Sequence, residues 1–336
     1  MERNLQAEAV IGFKGTVPFG LCLHPDNEHV IFPLGSSLIL RHIVSRSQTF
    51  LRGHDNDISV VTISPSGKYI ASGQKTHMGF QATIIIWDFE TCSLLYKLQM
   101  HKVLIQSLSF SNNEKYLASM GGLEDKNTLI IWDVENGKAL YGSPLGVNPI
   151  QQIFFFKKCD DKIIAVQNKG IQIVIIDREN RKIRTLDANF GNMKRDFNCA
   201  IIDNNDEYVY AGTKTGDVLE VNIEKAIFKR VGPVKKLFSL GVRSLGILPN
   251  GDLIVGAGDG QIAKLSIQDM RIKEKSEVLG GVTSLAFTAD HTHFFCGTTQ
   301  SNIYLVDTEK LVPELRNTCH YEKINDIAFP KFYRII

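Results

Sequence analysis

Residues 53–88 read GHDNDISVVTISPSGKYIASGQKTHMGFQATIIIWD, and the rest of the chain is a set of variations on this stretch. It opens on Gly53-His54 and carries two strand patterns split by the turn formers Ser64-Pro65-Ser66-Gly67. An apolar run then closes it on Trp87-Asp88. A second version ends in TLIIWD, with Trp132-Asp133. Lining up the ends of the equivalent runs gives Arg41-His42, Trp87-Asp88, Trp132-Asp133, Ile176-Asp177, Val221-Asn222, Leu265-Ser266 and Val306-Asp307. Successive first members lie 46, 45, 44, 45, 44 and 41 residues apart. That period belongs to a four-stranded unit repeated in series.

Two further features keep the same phase. About 20 residues before each anchor a polar, turn-forming tetrad leads into an alternating strand, as in SNNEKYLAS (111–119) and DNNDEYVYA (203–211). Just upstream of the anchor a Gly, Asn or Asp turn joins two strands, as in TKTGDVLEV (213–221). Each unit therefore reads as four antiparallel strands, a to d. One such sheet cannot bury both faces, whereas packing seven face to face around an axis does. The expectation is an all-β, seven-bladed β-propeller with blades at about 17–52, 53–101, 102–147, 148–195, 196–241, 242–280 and 281–320 of a domain spanning 1–323. Residues 8–13 resemble the outermost strand of a preceding blade and are a candidate closing strand. Residues 324–336 read as the start of a following blade or a linker to a second propeller. Either the chain is part of a longer protein or closing strands compete at the seventh blade, and the first reading is favoured.

Among the 336 residues, 38 basic side chains face 36 acidic ones, so no overall field argues for nucleic acid or an anionic membrane. The six cysteines are scattered singly, without a C-x-x-C pair, which argues against a zinc site and a disulfide framework. No apolar run approaches 18 residues and the opening MERNLQAEAV has no apolar core. Together these predict a reduced, intracellular, soluble protein.

Gly53-His54, Trp87-Asp88, His101 and Trp132-Asp133, at these spacings, resemble WD-repeat proteins. The resemblance implies a structural hydrogen-bonded network of His54, Ser72 and Trp87 in one blade, and of His101, Ser119 and Trp132 in the next. Its fourth member, an Asp in the b–c turn, is missing from the second unit, where an insertion sits. Units four to six have no Trp, so hydrophobic packing is expected to hold them. More narrowly, YIASGQKTHMGFQATIIIWD (Tyr69–Asp88), VGPVKKLFSLGV (Val231–Val242) and Pro33-Leu34-Gly35 resemble the cilia- and flagella-associated WD-repeat proteins of axonemal doublet microtubules. That similarity runs from about Val10 to Pro330. It implies the first of two tandem propellers, non-catalytic, bound inside the doublet lumen against tubulin and neighbouring proteins. The echinoderm-type microtubule-associated proteins are resembled more weakly.

The motifs that suggest chemistry have plainer readings. Gly256, Gly258 and Gly260 are spaced G-x-G-x-G, and a strand rather than a helix follows, which fits a b–c hairpin and not a phosphate loop. His291, His293 and Cys296 have a conceivable metal spacing but fall in an a–b turn with no further ligand. Asp160-Asp161 and the acids of 203–206 occupy equivalent turns as turn formers. For His54 and His101 a structural bond is the better reading than general-base work.

Surfaces remain. The insertion Gln74–Gln81 puts Met78 and Phe80 in a polar loop, beside a second insertion, 121–128, in the next blade. Gln74, Met78 and Phe80 are candidate partner contacts, unless the loop folds back over its own blade. Lys194, Arg195, Lys229, Arg230, Lys235 and Lys236, continuing to Arg243, form a basic cluster suited to an acidic surface such as tubulin's, or simply a solvated rim. The reading is a non-catalytic scaffold of the cytoplasm and the axoneme of cilia or flagella. It has protein partners, tubulin and axonemal proteins, with no cofactor, metal, nucleic acid, membrane or small-molecule substrate. The alternative is a cytoplasmic adaptor, such as a ubiquitin-ligase substrate receptor or trafficking subunit, that reads a peptide across the central channel. An enzyme is a distant third.

Overall fold

The computed structural model describes residues 9–320 and Asp326. Seven four-stranded antiparallel sheets follow one another along the chain, each with its strands in sequence order from the inside out. They span 22–52, 58–102, 105–144, 150–187, 197–232, 242–277 and 282–317, and one 3-10 turn, Leu123–Asp125, interrupts the strands. This is a seven-bladed propeller with four antiparallel strands per blade.

Burial explains the strand sequences. Strands b and c pack on both faces, so Thr128–Asp133 (strand c of blade three) reads TLIIWD, with only its ends partly exposed. Outermost strands face solvent, and Lys182–Asp187 (strand d of blade four) reads KIRTLD. The apolar side chains collect into seven clusters, each lying between two adjacent blades. The blades without Trp use the same device. Ile164 and Val166 of blade four meet Val209 and Leu219 of blade five, all fully buried. Each such side chain contributes roughly 1.5–3 kcal/mol.

The repeat anchors have a chemical logic beyond tryptophan. The second residue of each anchor pair accepts a hydrogen bond from a backbone N–H of the c–d turn. The acceptors are His42, Asp88, Asp133, Asp177, Asn222, Ser266 and Asp307, at donor distances from 2.7 to 3.3 Å. The Asp88 carboxyl is held below its ordinary pKa by Thr91, and that of Asp133 by Asn136. The Asp of Trp-Asp is thus one of several acceptors able to close this turn.

Ring closure differs from the expectation of a closing strand. Residues 9–13 form no strand, because Pro313–Asn317 (strand d of blade seven) already occupies the outer position of that sheet. The segment instead threads between blades seven and one. The Gln48 side-chain amide donates to Val10 O (2.9 Å) and accepts from Val10 N (2.8 Å). Phe13 is buried with Phe32 of blade one and Phe295 of blade seven. Further in, Phe19 N donates to Thr283 O (3.1 Å) and Leu21 N to Ser284 Oγ (3.2 Å). The expected start of a following blade at 324–336 lies outside the described residues, Asp326 excepted.

Candidate partner-binding face

In blade two, Trp87 Nε1 donates to Ser72 Oγ (2.8 Å), which lies 2.7 Å from His54 Nε2. His54 Nδ1 is 2.8 Å from Gln74 Oε1, and Gln74 Nε2 donates to Asp55 Oδ1 (2.6 Å). One assignment satisfies every partner: the Ser72 hydroxyl donates to Nε2, and Nδ1–H donates to the Gln74 carbonyl oxygen. His54 is then neutral, and burial pushes its pKa down to about 4. In blade three, Trp132 Nε1 donates to Ser119 Oγ (2.7 Å), His101 Nε2 is 2.7 Å from Ser119 Oγ, and His101 Nδ1 is 2.5 Å from Asp125 Oδ2. All six side chains are buried, none more than 8% exposed.

Gln74 does not sit where the sequence places it. It is the last residue of Tyr69–Gln74 (strand b of blade two), only 1% exposed, and its amide completes the histidine network. It cannot meet a partner from there. The pleat turns it inward, and the insertion proper starts one residue later. The Asp missing from the turn is replaced by this glutamine.

The rest of the insertion projects outward. Thr76 N donates to Val103 O (2.6 Å) and Val103 N to Phe80 O (3.2 Å), which ties the loop base to the connection leaving its own blade. The tip stays open, with Met78 80% and Phe80 66% exposed. The loop does not fold back over its blade. Beside it, the second insertion forms the 3-10 turn; Asp125 points inward to His101 while Leu123 is 52% exposed. The Asn127 amide clips that loop to Gly146 O (2.9 Å) and Asn148 O (3.0 Å). Exposed apolar side chains outside the strands favour this end of the propeller. Met78, Phe80 and Leu123 lie in b–c loops and Val147, Leu240 and Leu279 in d–a connections, against Val44 and Val312 in c–d turns. Antiparallel blades put b–c and d–a connections on one face, so the apolar face is that one.

The basic cluster divides. Lys229 and Arg230 both pair with the Glu220 carboxylate, 2% exposed, and Arg230 also donates to the carbonyls of Ile267 and Gln268 in the next blade. Arg195 Nε donates to the buried Asp217 (2.8 Å). These three are structural cations. Lys194, Lys235 and Lys236 are exposed and, among the described residues, make no ion pair. Cys296, with His291 and His293 the conceivable metal set, is fully buried and its thiol pKa is raised by burial. Among the described residues no group of three or more His, Cys, Asp or Glu is arranged to hold a metal.

Gln106 and Gln151 escaped the sequence reading, which counted Arg243 only with the basic cluster. Gln106, Gln151 and Arg243 line a cavity of about 700 Å³ at the central channel, and among the described residues their side chains have no hydrogen-bond or ion-pair partner. The available signal was an apolar-polar pair in phase at the start of six innermost strands: Ile58-Ser59, Ile105-Gln106, Ile150-Gln151, Phe197-Asn198, Val242-Arg243 and Val282-Thr283.

Residues 47–306 match the family model of the echinoderm microtubule-associated protein first beta-propeller. The chain belongs to this family. The chain is 43% identical to cilia- and flagella-associated protein 52 of Chlamydomonas reinhardtii over 99% of its own length and 54% of that protein. The protein of the same name in Bos taurus is 40% identical over 97% of the chain and 53% of the relative, and that of Homo sapiens 39% identical over the same shares. The chain therefore spans about half the length of the curated relatives it matches. The Cps50 (Swd1) β-propeller domain of Myceliophteria thermophila superposes with a TM-score of 0.64 at 18% identity, covering 76% of this chain and 84% of that one. That likeness concerns the fold alone.

Proposed function

We propose that this propeller is a non-catalytic scaffold of ciliary and flagellar doublet microtubules, an inner protein that binds tubulin and neighbouring proteins and supports axoneme stability and motility. The observation that carries the reading is the Met78–Phe80 tip, held out on a backbone-bonded base with two large apolar side chains in water. Such a pair is costly to leave wet and marks a contact. The names of the relatives, cilia- and flagella-associated, supply the setting. The exposed Lys194, Lys235 and Lys236 would add screened attraction to an acidic partner surface.

The test uses tagged full-length protein in a flagellated cell. After demembranation and a high-salt wash, the protein stays with the doublets, while a Met78→Ser, Phe80→Ser double variant appears in the wash. Wild-type protein released by detergent alone would overturn the reading. So would a pull-down rich in ligase or coat subunits and lacking tubulin.

A further inference from the structure

Two connections between blades are nine residues long, 188–196 and 233–241, and they behave oppositely. The first folds back on the protein: Asn189 N donates to Ala226 O (2.7 Å), and Phe190 and Met193 pack on the cluster between blades four and five. The second stands away from it. Pro233 and Phe238 are buried and Phe238 N donates to Gly216 O (2.9 Å), while residues 234–237 between these anchors are all exposed. Two of the four, Val234 and Leu237, are large apolar side chains in water. The arch starts hard against blade six, where a Cβ on Gly232 would lie 2.6 Å from Met270 O.

Between this arch and strand d of blade six (Ile272–Glu277) lies a cleft of about 670 Å³ at the rim of the propeller. That strand is outermost in its sheet, so one of its edges has no neighbouring strand among the described residues. The cleft is cationic, with Lys235, Lys236, Arg271, Lys273 and Lys275 against Asp269 and Glu274. One of the five cations is already committed. In blades five and six the pairing of strand c with strand d skips a lysine, and these bulges turn Lys229 onto Glu220 (3.4 Å) and Lys273 onto Asp252 (2.8 Å). Lys235, Lys236 and Lys275 make no ion pair among the described residues, and Arg271 lies 3.7 Å from the exposed Asp269.

We propose that this cleft docks an acidic, extended segment of a partner protein, laid along the free edge of strand d of blade six beside the 234–237 arch. Lysines on an open edge keep like sheets from pairing with it. The same charges select a strand that carries carboxylates. The edge offers main-chain donors and acceptors to an extended backbone, and Val234 and Leu237 offer an apolar contact to its side chains. Nucleic acids and lipid headgroups have no backbone that could extend a sheet. The volume lies within the range of roughly 300–1,000 Å³ of binding pockets. This site is separate from the Met78–Phe80 tip and takes from the scaffold reading only that the partners are proteins.

The test measures fluorescence anisotropy of a labelled decapeptide alternating glutamate and valine, and of its twin with glutamine for glutamate, on the full chain. The acidic peptide binds, and the glutamine twin binds about tenfold more weakly, because several screened ion pairs are lost together. Lys235→Ala with Lys236→Ala removes that preference, and both positions are exposed and unpaired, so the variant folds. Val234→Ser with Leu237→Ser weakens both peptides alike. Hydrogen exchange reads the edge itself: amides of residues 274–277 slow when the acidic peptide is bound, which a purely ionic contact would not cause. The proposal is overturned by an absence of binding, by equal binding of the two peptides, by indifference to the lysine variant, by unchanged exchange at 274–277, or by inorganic phosphate displacing the peptide at equal concentration. Its failure and that of the scaffold reading are distinguishable: Met78→Ser with Phe80→Ser leaves peptide binding intact, and a chain washed off the doublets can still bind the peptide.

Discussion

Gln74 Oε1 lies 2.8 Å from His54 Nδ1 in blade two, the position that Asp125 Oδ2 takes 2.5 Å from His101 Nδ1 in blade three. A neutral amide does in one blade what a carboxylate does in the next. The carboxylate of blade two is moved one step outward, to Asp55, which the Gln74 amide holds below the ordinary carboxylate range. A buried imidazole facing a carbonyl oxygen has no counter-charge and stays neutral.

That arrangement predicts an acid-sensitive blade. Unfolded His54 titrates near 6.5 and the folded ring only at about 4. Between those values the unfolded chain binds the extra proton, so stability rises with pH there. The contribution is complete above pH 6.5 and is lost as pH falls toward 4, by about 3 kcal/mol at most. Denaturant unfolding across that window should show the loss, and His54→Gln should flatten it. Asp88, Asp133 and Asp177 have folded pKa values below 3.8, so their losses come at lower pH and remain in the variant. A wild-type profile that is flat between pH 6.5 and 4 would refute the neutral-histidine assignment.

Ser72→Ala strands two buried groups at once, Trp87 Nε1 and His54 Nε2, since both bond to the same hydroxyl. Each unsatisfied group costs about 1–3 kcal/mol, so a loss of roughly 2–6 kcal/mol is expected. Ser119→Ala does the same to Trp132 and His101. The chain's two tryptophans are the two in these networks, so tryptophan emission reports both variants. A change under about 1 kcal/mol in either would show that the hydroxyls are dispensable.

How much of this was legible follows from what kind of relation each feature is. The seven blades were, because a turn acceptor and two strand patterns recur in phase, with Asn222 and Ser266 standing in for Asp. The histidine–serine–tryptophan positions were, by resemblance. Gln74 was not: in the linear sequence it opens the insertion, and only the pairing of Ile58 with Gln74 makes it a strand residue facing inward. The bulges were not either, since a bulge is a mismatch between two strands and no single strand displays it. The basic cluster misled because Lys229 and Arg230 answer a carboxylate, Glu220, on the neighbouring strand.

That division predicts opposite outcomes for neighbouring cations. Arg230→Ala leaves the buried Glu220 with Lys229 alone and frees two carbonyls of the next blade. Breaking a pair around a buried charge costs up to about 3–5 kcal/mol, and the partly exposed arginine puts the expected loss at the lower end. Lys235→Ala and Lys236→Ala change stability by no more than about 0.5 kcal/mol, as surface substitutions do. Thermal melts of the three variants decide this; equal midpoints would mean that the Arg230 contacts carry no weight.

Ring closure by a threaded segment, rather than a shared strand, rests on a close backbone approach. A Cβ built on Gly15 would overlap the carbonyl oxygen of Thr298, in the last residue of strand b of blade seven (His293–Thr298), whereas one on Gly12 would sit 3.6 Å from Cys319 Sγ, an ordinary contact. A backbone carbonyl within a sheet has little room to yield, so Gly15→Ala must push the segment away from blade seven. That shift would loosen Phe13 from the cluster it shares with Phe32 and Phe295. A loss of about 1–3 kcal/mol is expected, in the range of overpacked sites. Gly12→Ala should be near neutral. Limited proteolysis separates a local from a global effect: in Gly15→Ala, cleavage between Gly12 and Gly20 appears well before the blades are cut, since the rest of the ring keeps its six other interfaces. Equal protection of the two variants would mean that the propeller closes without this clasp.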